Sequence, residues 1–494
     1  MTRTLSFSDV RLQTIHQTLL RFAPDAVLVG GAVRDLLLNR DVHDLDYAVE
    51  GDGLRIGRKL ADALGAAYYP LDESRRIARV VWKQEDGAIV VDISSLLGLT
   101  LEEDLRRRDF TINAIAMLPD GQIFDLLGGV EDLERRILRL CSPDSLYNDP
   151  VRTIRAVRFL YLFDLKPEPG LDQLMWYAAP RLTSISPERQ RDEFVKALAL
   201  PRPHLAVDRM VDWRIADVLM PELVALQDVE QPPPHVFDVY RHTLQTLGWM
   251  ARIDAWIRDD TEAQDDAEAL IHRRLAVYRP ELRAYLQEWL TAERPRWLWL
   301  RFAAIAHDWG KPRAFRESEE GHIHFYRHEQ LSGEMAADWM RRYHCANNET
   351  TFVKRICAAH MRPMGIFING ERPSRRALFR FYRDLESAAP GTILLFLADF
   401  LGARGQDIAS EELTAALDHV EAFLQPFHEN KEKPVVPDPL LNGGEIISLF
   451  DLTPGPEIGR LLDALQEAQA AGEVETREQA IGFIEGLLEA RARD

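Results

Sequence analysis

Cysteine is scarce in this chain: three in 494 residues (Cys141, Cys345 and Cys357), with no C-x-x-C pair. That excludes a disulfide framework and a cysteine-ligated zinc site. Long apolar runs are lacking too. The nearest, TILLFLADFLGA, falls short of the ~20 residues a bilayer span needs and is broken by Asp399. The start, MTRTLSFSDVRLQ, has no apolar stretch of the signal-peptide kind. A cytoplasmic protein with no membrane partner is expected. Excess positive charge is also missing: 60 Lys+Arg against 79 Asp+Glu leave a net −19, which argues against a protein that coats nucleic acid non-specifically. The deficit is uneven. Residues 401–494 hold 7 basic and 19 acidic side chains, whereas 352–383 hold eight basic residues against Glu371 alone. A local basic surface or a solvated helical face is expected there.

What is present describes a globular chain of several domains, with 46% hydrophobic and 28% charged residues. Residues 22–140 alternate strand-like runs (AVLVG, DLDYAV, IARVVWK, AIVVDIS) with helical ones (GGAVRDLLL, RIGRKLADALG). From Ser142 the strand signal disappears, and amphipathic helices such as PVRTIRAVRFLYLF and PERQRDEFVKALAL follow. Pro232–Pro234 punctuates the chain, 235–425 reads as all-helical, and KPVVPDPLLNGG precedes a last helical piece. The fold class is therefore α+β. A small mixed sheet occupies 1–140, a helical neck 141–230, a helical body 231–430 and an acidic helical tail 431–494.

The first chemical constellation is LVGGAVRDLLLNRDVHDLDYAV. Side chains alternate along a strand, so Asp44 and Asp46 share a face. Paired carboxylates suit hard cations, above all Mg²⁺. Asp92, in the apolar strand VVDIS, completes a trio if the strands are neighbours, and such a trio can hold two ions for phosphoryl chemistry. Gly30 and Gly31 close a strand-to-helix turn whose backbone amides can approach phosphate, with Arg34 adding charge.

This segment resembles the head of the class II nucleotidyltransferases, the tRNA CCA-adding enzymes and bacterial poly(A) polymerases. LEEDLRRRDFTINAIAM, DLLGGVEDLERRILRL and NDPVRTIRAVRFL resemble the motifs that follow in that family, in the same order. The resemblance implies that Asp44, Asp46 and Asp92 bind two Mg²⁺ ions and that Gly30, Gly31 and Arg34 hold the triphosphate. It matches Arg108 and Asp109 to the ribose-recognising pair, with Asn113 beside them. It matches Asp149 and Arg152 to a pair that reads the edge of the incoming base. Their i, i+3 spacing puts both on one helix face, where a carboxylate acceptor beside a guanidinium can read cytosine or adenine. Arg155 and Arg158 continue that spacing and either rigidify the pair or touch phosphate.

Two departures stand out. Asn148 replaces the family's usual Glu, which leaves open how Arg152 is held. Between Asp92 and Arg108 only residues 93–107 intervene, where CCA-adding relatives carry a longer loop implicated in switching from CTP to ATP. That shortness resembles relatives that add only two cytidines and leave the adenosine to a separate enzyme.

A second constellation occupies the helical half. His242, the adjacent His307 and Asp308, His328, His360 and Asp399 occur in the order seen in the HD phosphohydrolase superfamily, which they resemble. The resemblance implies a metal core of His242, His307, Asp308 and Asp399, with His328 and His360 at a second ion and Lys311 orienting phosphate. Imidazole and carboxylate suit divalent transition metals. The plain alternative is a helical body with satisfied core histidines; His322 and His324 are expected to be spectators. At the far end, LLNGGEIISLFDLTPGPEIGRLL resembles the C-terminal segment of tRNA nucleotidyltransferases, with TPGPE opening a helix toward RNA phosphate and Arg460 one turn on. The expected function is extension of the tRNA 3′ end by CCA or CC from CTP and ATP. The rivals are a poly(A) polymerase on the same scaffold and a metal-dependent phosphohydrolase.

Overall fold

The computed structural model describes residues 4–85, 87–96, 100–291, 294–368, 372–405, 408–429 and 438–493, so residues 97–99 of the short 93–107 connector lie outside it. Two compact units emerge, Met1–Phe194 with Asp212–Val218, and Val195–Val211 with Leu219–Asp494. The division falls inside the helix Pro187–Leu198, so the neck is shared between them.

The first unit is built on one seven-stranded sheet. Its strands are β1 Val27–Val29, β2 Asp44–Val49, β3 Ala67–Asp72, β4 Ile77–Gln84, β5 Gly87–Ser95, β6 Ala116–Met117 and β7 Ile123–Phe124, in the order β3-β4-β5-β2-β1-β6-β7. β2 and β5 run parallel and every other neighbouring pair antiparallel. The sheet is mixed, as the alternating pattern implies. In β2, Leu45, Tyr47 and Val49 are buried, which sends Asp44 and Asp46 to the opposite face. β3 carries no readable pattern because it is a largely exposed edge strand interrupted by Pro70. The helix Gly53–Leu64 packs on β4 and β5, capped by Asp52 at one end and left-handed Gly65 at the other.

The second unit is a helical body. Val239–Asp259 packs along Ala389–Arg404, and Arg296–Ala306 packs against Val239–Asp259 and Asn347–Ala359. Every residue from Ala389 to Ala403 is buried. The helical stretch Arg375–Arg404 is long and apolar enough to cross a membrane by length and composition, yet 89% of its most apolar window is buried inside the protein. It is a core helix, apolar all round because protein surrounds it. Arg301 is buried there and fully satisfied, donating to both oxygens of Asp254 at 2.6 and 2.9 Å and to the carbonyls of Leu198 and Leu200. Two short hairpins interrupt the region read as all-helical, Trp289–Thr291 with Arg294–Pro295 and Phe315–Glu317 with Ile323–Phe325. Strands of two or three residues are too short to show a period.

The acidic tail has its own core around Leu441, Ile446, Leu461, Leu465 and Ile484. It also answers the basic stretch, because the helix Arg375–Leu385 packs on Pro456–Ala471. Arg380 forms a two-pronged pair with Glu467 at 2.9 and 2.5 Å, and Arg376 meets Glu473 at 2.5 Å. Lys354, Arg355, Arg362 and Arg383 pair with Glu334, Glu386 and Asp384. Six of the eight basic residues of that stretch are therefore matched in space by carboxylates from the tail and from neighbouring helical segments.

Candidate functional site

Three acids distant in sequence meet on one sheet face. Asp46 and Asp92 are register partners across β2 and β5, and Arg79 of β4 is the partner of Asp92 on its other side. Asp44 lies two residues before Asp46 and therefore on the same face. Asp92 is gripped by Arg79 through two bonds of 2.8 Å. Asp46 has no such partner. Withheld solvent in the cleft, together with the charges of Asp92 and Asp44, holds its carboxyl above the usual carboxylate range, with Arg108 and Arg79 acting in the opposite sense. Carboxylates crowded this way are poised for an added cation, and their oxygen donors suit a hard one.

The turn between β1 and the helix Gly31–Leu37 closes the site from above. Gly30 has φ +79°, and a Cβ there would lie 2.8 Å from Nη1 of Arg108 and 3.7 Å from a carboxylate oxygen of Asp46. Only glycine fits, which brings bare backbone beside the acids. A cavity of about 340 Å³ opens here, and its wall includes Gly30, Gly31, Asp46, Asn113 and the arginines 34, 108, 152, 155 and 158. Such a surplus of guanidinium suits a polyanionic ligand.

The arginines are fixed by a chain of buried polar contacts. Arg34, set over the Phe163 ring, donates to Oδ1 of Asn113 at 2.5 Å, and Asn113 donates to Asp109 at 2.9 Å. Arg155 bridges Asp109 at 3.1 Å and Glu193 at 2.9 Å, and Arg158 donates to the other oxygen of Glu193 at 3.2 Å. Arg108 and Asp109, neighbours in sequence, thus part company. Arg108 pairs with Asp104 at 3.1 Å and reaches over the glycine turn, while Asp109 is turned inward. Arg79 and Glu193 escaped the sequence reading, because each is found only through the strand or helix that faces it.

Arg152 lines this cavity from the start of Arg152–Leu162, while Asp149 ends the short helix Ser145–Asn148 in extended backbone (φ −150°, ψ 90°), so the two do not share the single helix face that their i, i+3 spacing implies. Arg189 donates to Oδ2 of Asp149 at 2.7 Å, while Oδ1 is enclosed without a hydrogen-bond partner. Arg152 donates to the hydroxyl of Ser145 at 2.8 Å and to the carbonyls of Ser145, Arg107 and Arg108, while its Nε is enclosed and unpartnered. Ser145 and three carbonyls therefore do the holding that Asn148 leaves undone. One acceptor and one donor remain.

In the helical unit, His242, His307, Asp308, His328, His360 and Asp399 converge. They come from helix ends and first turns, apart from Asp399 deep in Ala389–Arg404. Gly310 lets this segment press on the next, since a Cβ there would meet the His328 carbonyl at 2.3 Å. His242 Nε2 lies 2.9 Å from Asp399 and 3.5 Å from Asp308; His307 Nε2 lies 3.2 Å from Asp308. His328 and His360 approach the other Asp308 oxygen at 3.3 and 3.8 Å. Two Nε2 pairs, His242 with His307 and His328 with His360, face each other at 3.3 Å. In His307, His328 and His360, Nδ1 bonds the carbonyl three residues back at 2.9, 2.9 and 2.7 Å, which leaves Nε2 as an inward lone pair. Lone pairs opposed at that range are relieved by a proton on one ring or by a cation between them. Burial opposes a charged imidazole, yet the Asp308 and Asp399 carboxylates hold His307 up at about 10, while burial and the neighbouring His307 and His328 push His360 down to about 3. Lys311 sits 2.7 Å from Asp308 and donates to Gln231. A cavity of about 640 Å³ opens onto this cluster, walled in part by Phe325, Tyr326 and Phe367. His324 lines it and stacks on Tyr326, while the His322 ring pairs with Glu320.

Comparison with known proteins agrees with this architecture. Residues 26–139 match the family described as Poly A polymerase head domain, and 164–226 that described as Probable RNA and SrmB-binding site of polymerase A. The A-adding tRNA nucleotidyltransferase of Deinococcus radiodurans is 33% identical over 479 residues, covering 95% of this chain and 96% of that one. The CC-adding tRNA nucleotidyltransferase of Thermus thermophilus is 31% identical over 471 residues, covering 93% of each. A CCA-adding enzyme solved with ATP shares the fold with a TM-score of 0.63 at 20% identity, over 97% of this chain and 96% of that one. The head, neck and body are therefore those of one family. The chain is a class II tRNA nucleotidyltransferase, an enzyme of the CCA-adding type.

Proposed function

We propose that this enzyme adds cytidines from CTP to the 3′ end of tRNA and leaves the terminal adenosine to a separate enzyme. The convergence of Asp44, Asp46 and Asp92 on one sheet face beside the Gly30 turn carries the nucleotidyl-transfer chemistry. The short connector 93–107 supports the restriction to cytidine. Asp44, Asp46 and Asp92 would hold two Mg²⁺ ions, whose charge would offset that of the triphosphate and make the attacking hydroxyl more acidic. Asp92, once released by Arg79, takes the proton of the tRNA 3′-hydroxyl. The 3′ oxygen bonds to the α-phosphorus in line as the bond to the bridging oxygen breaks, and pyrophosphate leaves. Backbone amides at Gly30 and Gly31 and the row Arg34, Arg155 and Arg158 offset the triphosphate charge and orient it. Arg108 contacts the ribose, with Asp109 and Asn113 bracing the wall behind. The Asp149 carboxylate accepts from the exocyclic amine of the base and the Arg152 guanidinium donates to its ring nitrogen. The tail helix opening at Pro456 serves as an RNA contact.

The experiment offers tRNA lacking its CCA end, with CTP and ATP separately and together, and sequences the products. Two added cytidines and no adenosine are expected. A terminal adenosine removes the CC-only reading. Adenosine added solely to tRNA already ending in CC makes the enzyme an A-adding one, and a long tail makes it a poly(A) polymerase.

The facing imidazoles favour a second activity in the body. His242, His307, Asp308 and Asp399 would hold one divalent transition metal and His328 and His360 a second, which would supply Lewis-acid activation for hydrolysis of a phosphate ester oriented by Lys311. Release of phosphate from nucleotide esters by the metal-loaded protein tests this, and its absence after loading overturns it.

A further inference from the structure

A seventh side chain stands in the helical cluster. His235 belongs to the segment after Gln231, which runs through three prolines into the helix Val239–Asp259. Its ring meets that of His242 edge-on, with centroids 4.9 Å apart. One donor atom each from His235, His242 and Asp399 lie within 4.8 Å of one another, close to the roughly 4.2 Å across a single ion with bonds of about 2.1 Å. Two further features point the same way. The Nδ1 of His235 bonds the carbonyl of Pro232, three residues back, at 3.1 Å. His307, His328 and His360 are oriented by that same contact, which frees Nε2 for a metal in each. His242 is the exception, fully buried with its Nδ1 enclosed and unpartnered, and His235 is the ring set against it. The other end of the segment is tied to the cluster as well, since Gln231 accepts from Lys311, which contacts Asp308.

We propose that His235 is a further ligand of the metal centre, brought by the proline segment to the ion held by His242 and Asp399. This rests on the reading of the histidine cluster as a metal site. The helices supply the remaining ligands, so His235 alone arrives on a non-helical strap and fills a position that water would otherwise take.

Cobalt(II) is the probe. The chelator-stripped full-length protein is titrated with cobalt, and bound metal, affinity and visible absorption are recorded for wild type, His235→Ala and His324→Ala. His324→Ala controls for a histidine of the same cavity outside the ligand set. Wild type and His324→Ala are expected to agree, while His235→Ala binds one ion at least about tenfold more weakly with an altered absorption band. Circular dichroism of the metal-free proteins establishes that the variants are folded. If wild type takes up cobalt and His235→Ala matches it in affinity and spectrum, the assignment of His235 fails while the metal centre stands. If wild type takes up none, the metal centre itself fails and His235 with it.

Discussion

The cleft in the first unit and the cluster in the second solve one problem, holding negative charge together, in opposite ways. In the cleft, sheet register places Asp46 beside Asp92 while Arg79 and Arg108 temper the charge, and Asp44 stands exposed. In the cluster, carboxylates and imidazoles are buried among helices at the end of a cavity, and balance must come from ions or protons within. An open site of oxygen donors suits loosely held ions that arrive with substrate. A buried site with nitrogen donors suits ions that stay.

That contrast can be broken experimentally. The largest effect is expected from Asp44→Ala, which should lower nucleotide incorporation by roughly a thousandfold while leaving transition-metal content untouched. Assays of both quantities on one preparation check this. Next, stripping transition metal with a chelator should lower the thermal midpoint, by an amount equivalent to about 3 kcal/mol when free metal had been near a hundred times its dissociation constant. Scanning calorimetry reads it, and nucleotide addition with magnesium restored should survive. Third, Asp149→Ala should narrow the preference for CTP over ATP by about tenfold, with a smaller loss of kcat; single-nucleotide kinetics decide between the two.

The pH response sharpens the comparison further. Asp46 must be ionised to hold a cation, and its carboxyl is raised, so the acid limb of the rate profile should lie above the ordinary carboxylate range and move to lower pH as magnesium increases. The stability sign is opposite: an ionised Asp46 opposes folding above its raised value. Asp46→Asn should therefore be more stable than wild type at neutral pH, an advantage lost as pH falls through that value. The smallest effect belongs to the surface. Arg380→Ala, which removes the pair with Glu467, should destabilise the tail by less than about 1 kcal/mol, measured by denaturant titration.

Period-two alternation was enough to place Asp44 and Asp46 on one face, and it made Asp92 a candidate for the same face. Nothing along the chain announces Arg79, because its link to Asp92 depends on which strands become neighbours. In the neck, the i, i+3 spacing implied one helix face for Asp149 and Arg152, whereas Asp149 ends the short helix Ser145–Asn148 in extended backbone and Arg152 opens the next, and Glu193, 35 residues beyond Arg158, governs where the later arginines point. The histidine order nominated six converging side chains. His235 was invisible there because it precedes the helix, on a segment whose path follows from packing. The edge strand β3 and the two hairpins escaped for a simpler reason, being too short or too exposed to bury an alternating face.

The polar relay under the cleft, from Arg34 through Asn113, Asp109 and Arg155 to Glu193 and Arg158, ties each member to the next. The proposed grip on phosphate and the wall proposed to bear the ribose cannot drift apart in such a lattice. An ancestor altering one member would have unsettled its neighbours, so diversification of this wall is expected to advance through compensating pairs of changes rather than through solitary ones.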